Sequence, residues 1–127
     1  MKKVISTDSA PAPKGPYSQA IVANGFVFVA GQGPIDAKTQ EVVIGDIRRE
    51  TELTLSNIAA ILEASGSSLE QVVKVNVYLK DIKDFAAMNE VYSRFFATNK
   101  PARTTVQAGL GLGIGVEIDA IAVSPEK

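Results

Sequence analysis

Cysteine, histidine and tryptophan are all missing from the 127-residue chain. Without cysteine there is no disulfide framework, no thiolate nucleophile and no zinc–thiolate site. Without histidine, Ser-His-Asp and Cys-His catalytic arrangements are excluded, as are His-ligated metals. An excess of one charge is missing too. Thirteen Lys and Arg stand against 14 Asp and Glu, a formal charge of −1, with a pI near 5.4. Nothing basic is left over to neutralise phosphates, which disfavours a dedicated nucleic-acid or anionic-membrane binder. No apolar run approaches the roughly 20 residues of a membrane span. The one that follows Met1-Lys2-Lys3 ends at Ile5, short of the roughly 7–15 residues of a secretory signal. A soluble cytoplasmic protein is expected. Its chemistry is left to carboxylates, Arg, Lys, hydroxyls, side-chain amides, backbone groups and water.

What is present is ordinary globular material, 46% hydrophobic and 21% charged residues, in a length that predicts one domain over 1–127. The prolines from Ala10 to Pro16 stiffen an extended or turning segment. Ser18 to Val22 and Phe26 to Ala30 are short apolar runs joined by Asn24-Gly25, a two-residue hairpin signal. Lys3 to Ser6 is a further candidate strand. Asp36 to Gly45 reads as a surface loop. From Ile47 the period becomes helical, with Ile47, Thr51, Leu55, Ile58 and Leu62 on one stripe and Gly66 as a stop. Ser68 to Gln71 is allowed one turn.

Val72 to Leu79 alternates, predicting Val73, Val75, Val77 and Leu79 on one face of a strand. A second helix is expected from Phe85 to Phe96, capped by Asp84, with a buried stripe of Phe85, Met88, Tyr92 (or Val91) and Phe95. Thr104 to Ala108 and Val116 to Val123 read as strands around a glycine-rich loop, Gly109 to Gly115. Six strands and two helices make an α+β fold. Two helices cover only one sheet face, yet aliphatic residues lie on both, so a second copy of the chain is expected on the other.

Few residues suggest chemistry. The 109–115 glycines lack the Lys-Ser/Thr and the following helix of a phosphate-binding loop, so a flexible connection is expected there. Gly31 and Gly33 flank Gln32 at a strand end, as a bulge or as a close approach to a ligand. Glu117 and Asp119, two apart on the last strand, share a face with Ile121 and Val123. Their repulsion and burial would raise at least one pKa and suit general acid–base work, though a solvated strand end is the plainer alternative. Arg103, at a strand start with no helix expected beneath it, suits bidentate capture of a carboxylate or an ordinary surface ion pair. Tyr17 and Asn89, taken singly, are structural residues.

Several segments together resemble the RidA/YjgF family, also called L-PSP or enamine/imine deaminases. They are Ala10-Pro11-Ala12, Gly15-Pro16-Tyr17-Ser18-Gln19, Ala30-Gly31-Gln32, Asn57-Ile58, the 73–78 run, Asp84-Phe85 with the Met88–Tyr92 stretch, Pro101-Ala102-Arg103 and Val116 to Val123. Each is weak alone; their joint order is specific. The resemblance implies a chorismate-mutase-like fold, a six-stranded sheet with two helices on one face. It implies a homotrimer with clefts at the subunit interfaces and no metal or organic cofactor. It further implies a small 2-imino or 2-keto acid ligand, with neither nucleic acid nor membrane as partner.

The implied activity is hydrolysis of reactive 2-imino acids, tautomers of 2-aminoacrylate and related enamines, to 2-keto acids and ammonia. By position, Arg103 would hold the substrate carboxylate and Glu117 would orient the attacking water. Tyr17 and Asn89 would line the cleft, and backbone groups of Gly31 and Thr105 would contact the substrate. The alternatives are a non-catalytic trimer that binds small carboxylates, and the RNA cleavage or translation inhibition ascribed to some relatives, which the acidic pI and absent histidine oppose. The chain departs from the family pattern at Ala30, Gly33, Lys100 and Thr105, and in the 109–115 loop.

Overall fold

A computed structural model describes residues 1–124; the last three residues of the domain expected over 1–127 lie outside the described residues. In chain order the elements are β1 (Lys3–Ile5), β2 (Ala20–Ala23), β3 (Phe26–Gln32), α1 (Ile47–Ala64), β4 (Val72–Leu79), α2 (Phe85–Phe95), β5 (Ala102–Gln107) and β6 (Val116–Val123). They form one six-stranded sheet in the order β1-β2-β3-β6-β4-β5. Only β4 and β5 run parallel, and α2 supplies the crossover that parallel neighbours require. The last strand therefore enters the middle of the sheet, between β3 and β4. Among the described residues, no helix is long and apolar enough to cross a membrane.

Local chemistry accounts for the elements. Asn24 and Gly25 both take positive φ, 52° and 81°, the geometry of a tight hairpin turn. The Asp46 side chain caps α1, accepting from the Arg48 and Arg49 amides at 3.0 and 3.5 Å, and Gly66 ends it at φ 77°. Both helices lie on one face, where Leu55, Ile58, Ile61, Leu62 and Met88 are buried with Val27, Val75, Val77, Val116 and Ile118. The other face carries the alternate residues. Phe26 lies opposite Val123 and Phe28 opposite Ile121; both phenylalanines are more than 40% exposed.

Four local readings are corrected. Val72 pairs with Ala122 and Lys74 with Ile121, which leaves Val73 as the extra residue of a bulge. It turns outward, 42% exposed, instead of joining Val75. Phe85 lies outside the buried stripe of α2, which is Met88, Val91 and Tyr92. The Asp84 side chain makes no capping bond; Asp81 caps the preceding 3-10 turn instead, through the Lys83 amide. Finally, β5 begins two residues early, because its register with β4 starts at Lys74 and Ala102.

Buried Asn57, on α1, donates to the carbonyls of Gly33 and Ile35 at 3.1 and 2.9 Å, pinning the chain as it leaves β3. Asn57→Ala removes the donor to the Ile35 carbonyl, while that of Gly33 keeps the Ile35 amide at 2.9 Å; the change is expected to cost about 1–3 kcal/mol, read as a lower midpoint in urea unfolding.

Candidate functional site

The first cluster of candidates forms where β3 meets β6. Between Val29, paired with Ala120, and Gln32, paired with Ile118, β3 carries one residue too many. The bulge falls on Ala30-Gly31, where the strand bends away from its ladder. Glu117, on the helix-free face of β6, fills the resulting space. A Cβ built on Gly31 would overlap Glu117 Oε2 and sit 3.0 Å from its Cδ. Glycine at 31 is thus the condition for the carboxylate to lie over the strand. Gly31→Ala is expected to swing the flexible end of Glu117 off the strand and to cost about 1 kcal/mol or less, the low end of overpacking. Glu117→Ala in the same chain should recover most of that loss, a coupling readable in a double-mutant cycle.

The electrostatics differ along β6. Asp119 accepts from Asn76 Nδ2 at 2.9 Å and from the Tyr78 hydroxyl at 3.1 Å, so its oxygens are satisfied structurally. Glu117 has no such support among the described residues. Burial pushes its pKa above the usual carboxylate range, and the nearby charge of Asp119 adds to the effect. The expectation that at least one of these pKa values is raised is met at Glu117.

Tyr17 reaches this place through Gln19, a residue whose role the sequence reading missed. Buried Gln19 donates to the Pro11 carbonyl at 2.8 Å and accepts from the Thr7 amide at 2.7 Å. It folds the proline-rich segment down beside the β3 bulge. Its signal was faint: one amide amid prolines, which have no N–H to bond one another. Tyr17, Gly31 and Glu117 then share one cavity with Ile35, Leu112 and Ile114.

The second cluster lies on the opposite face. Arg103 pairs in register with Val75, on the helix side, whereas Glu117 pairs with Tyr78 on the open side. The expectation that no helix underlies Arg103 is corrected, because α2 does. The guanidinium carbon lies 4.6 Å from the Tyr92 ring centre and 5.6 Å from that of Phe85, a cation–π geometry that orients its fork. The surface ion pair also drops out, since the ion pairs among the described residues are Arg48–Glu90, Arg49–Glu52 and Arg94–Glu90.

Arg103 shares a shallow cavity with Asn89, Tyr92, Lys100 and Pro101. Lys100 donates to the carbonyls of Phe96 and Ala97 at 2.9 and 3.2 Å, so it closes the end of α2. Asn89 Oδ1 and Thr105 Oγ1 are buried without a hydrogen-bond partner among the described residues, an arrangement that is costly unless something completes it. Thr105 lies two residues from Arg103 on the same side of β5. The candidates therefore fall into two groups, Tyr17, Gly31 and Glu117 on one face and Asn89, Arg103 and Thr105 on the other.

Comparison with known proteins agrees with this architecture. The family model described as Endoribonuclease L-PSP matches residues 7–124. A RutC family protein of Pyrococcus horikoshii is 58% identical over 123 residues, covering 96% of this chain and 98% of the relative. A 2-iminobutanoate/2-iminopropanoate deaminase of Dermatophagoides farinae is 43% identical over 123 residues, covering 96% of each. The crystal structure of E. coli TdcF with bound serine superposes with a TM-score of 0.91 at 38% identity, covering 95% of this chain and 98% of that one. Two helices on a mixed six-stranded sheet, matched over nearly their whole length in sequence and in backbone, place this chain in the RidA/YjgF (L-PSP) family.

Proposed function

We propose that the chain is an enamine/imine deaminase that hydrolyses 2-imino acids to 2-keto acids and ammonium in clefts between three copies of itself. The observation that carries this reading is the split of the candidates across the sheet. Arg103 and Glu117 stand on opposite faces of one chain, each beside a partly walled cavity. A substrate of a few atoms touches both only if one copy lends Arg103 and its neighbour lends Glu117. The apolar open face bearing Phe26, Phe28, Ile121 and Val123 is what such neighbours would bury. The resemblance to a relative named as an imine deaminase supports the same substrate class.

The chemistry asks little of the protein. An iminium, R–C(=NH2⁺)–COO⁻, is already electrophilic at carbon. Arg103 holds the carboxylate through two parallel N–H···O bonds, with its plane set by Tyr92. Asn89 and Tyr17 wall the cleft, and the backbones of Gly31 and Thr105 contact the substrate. Glu117 accepts a hydrogen bond from a water and aims its lone pair at the C=N carbon. As the C–O bond forms, the carboxylate takes a proton from that water. A pKa raised by burial makes Glu117 a better base than a solvated carboxylate. The proton then passes to the amine; as the C–N bond breaks, Glu117 takes the proton of the new hydroxyl, forming the C=O of R–CO–COO⁻, and gives it to the departing ammonia as NH4⁺. Much of the acceleration comes from holding water and iminium together.

The test is an assay in which an amino-acid oxidase, with catalase, generates an imine in situ. Added protein is expected to speed imine loss with matching ammonium release, and to sediment as three copies. Tight binding of the keto acid without faster loss would instead identify a binding protein.

A further inference from the structure

Beside Glu117 the open face carries a hydrogen-bonded group that the proposed chemistry leaves unused. In the β4–β6 ladder Glu117 lies opposite Tyr78, and Asp119 opposite Asn76. Both β4 side chains are nevertheless committed to Asp119. Asn76 Nδ2 donates to one of its oxygens at 2.9 Å, and the Tyr78 hydroxyl donates to the other at 3.1 Å. Tyr78 thus reaches diagonally past its own cross-strand partner, and Glu117 leans the other way, over Gly31 on β3. All four residues are partly buried.

Two donors on two oxygens match an ionised carboxylate, which only accepts, and they hold it in one place. Asp119 follows Glu117 by two strand positions on the same face, about 6.5–7 Å along the chain. A carboxylate fixed there opposes negative charge on Glu117 and so strengthens its hold on a proton. The other titratable groups facing Glu117 do not reproduce this. Across the ladder, burial, then the charge and hydrogen bond of Asp119, and last Glu117 itself hold the Tyr78 pKa above the usual phenol range, so Tyr78 stays protonated. From the N-terminal segment Tyr17 and Lys14 share the Glu117 cavity; the exposed Lys14 cation acts in the opposite sense. Neither β3 nor the 109–115 loop brings a titratable side chain to it.

We infer that Asp119, clamped by Asn76 and Tyr78, is a positioning residue for the reaction: its fixed negative charge sets Glu117 as the base that deprotonates the attacking water. The inference rests on the deaminase reading and adds a group that acts through Glu117. The effect is paired. Without that charge Glu117 gives up its proton at lower pH, and it becomes a weaker base toward water. Neutralising Asp119 should therefore move the acid limb of kcat/KM to lower pH by about 0.5–1 pH unit. The rate above the limb should fall roughly two- to four-fold.

The experiment records kcat/KM for 2-iminobutanoate against pH in the oxidase-coupled assay, with protein-free imine loss subtracted at each pH. The proteins are wild type, Asp119→Asn, Asp119→Glu and Tyr78→Phe. Carbon-13 titration of the glutamate carboxyls, with the Glu117 signal identified by its absence in Glu117→Gln, reads the proton-binding midpoint directly. Asp119→Asn is expected to show the displaced limb, a matching displacement of the Glu117 signal and the lower plateau. Asp119→Glu restores the charge and should keep the wild-type limb. Tyr78→Phe frees one Asp119 oxygen to water and should move the limb the same way by a smaller amount; should Asp119→Asn fail to assemble, the direction of this shift decides. A lower rate at every pH, with limb and signal unmoved, makes Asp119 a structural tie between strands and overturns the inference, while wild-type turnover keeps the deaminase reading. A wild type that turns over no imine overturns that reading and this inference with it.

Discussion

Arg103→Ala is expected to lower kcat/KM for imine hydrolysis roughly 30- to 1,000-fold, the loss of a charge-assisted bidentate pair worth about 2–4 kcal/mol. Arg103→Lys keeps the charge but not the planar fork or the stack on Tyr92, so it should recover only part of the rate. The readout is the initial rate of imine loss across substrate concentrations, with thermal melts alongside. Stability should change only modestly, since a half-buried cation–π contact on buried Tyr92 contributes about 0.5–2 kcal/mol. An Arg103→Ala protein with wild-type kinetics would remove the carboxylate grip from the mechanism. A variant that loses activity only by unfolding would show it in the melt.

Glu117→Gln should be comparably damaging, because glutamine cannot take the proton that the attacking water releases. A loss on the order of 10²- to 10⁴-fold is the usual scale for a general base. The same substitution should make the folded chain slightly more stable at neutral pH. Burial, and then Asp119, raise the Glu117 pKa in the native state. Protonation therefore favours folding, and this contribution, complete below the ordinary carboxylate range, is lost as pH rises through the native pKa. The advantage of Glu117→Gln is thus greatest at neutral pH and fades on acidification through that elevated pKa. Solvent reaches much of the side chain, so screening keeps the gain below about 1 kcal/mol.

Combining the two variants tests the geometry. Refolding Arg103→Ala together with Glu117→Gln restores sites wherever an intact arginine meets an intact glutamate from the neighbouring copy. For random assembly that is about one quarter of all sites, from two parents each close to inactive. If the site lay within one chain, every copy in the mixture would carry a defect and nothing would be recovered. The measured fraction of wild-type rate separates the two cases, and inactivity of the mixture would refute the shared cleft.

The local readings held where a short-range rule was strong. Asn24-Gly25 makes its turn because both residues tolerate positive φ, and α1 follows its 3.6-residue stripe to Gly66. They failed where a neighbour overruled the pattern. Perfect alternation put Val73 inward, but one extra residue against β6 turned it out. Asp84 has the form of a cap, yet the chain enters α2 through a 3-10 turn that Asp81 caps first. The candidate site was legible as a set of residues only through the family pattern, since Tyr17, Asn89 and Arg103 are individually unremarkable. Glu117 is the exception. Two carboxylates on an apolar strand face predicted a perturbed acid from electrostatics alone, and burial beside the β3 bulge raises Glu117, a placement that depends on another strand.

The amino-acid sequence by itself determined which chemistries were closed, through its missing cysteine and histidine, and which segments are strands or helices, through periodicity that each segment carries within itself. Only the tertiary structure decided that β6, the last strand described, enters the centre of the sheet, that the Ala30-Gly31 bulge opens room for Glu117, and that Arg103 rests on α2 on the far side. Those outcomes depend on pairings between residues dozens of positions apart. Their energy comes from burying both partners at once, which no local window of sequence contains.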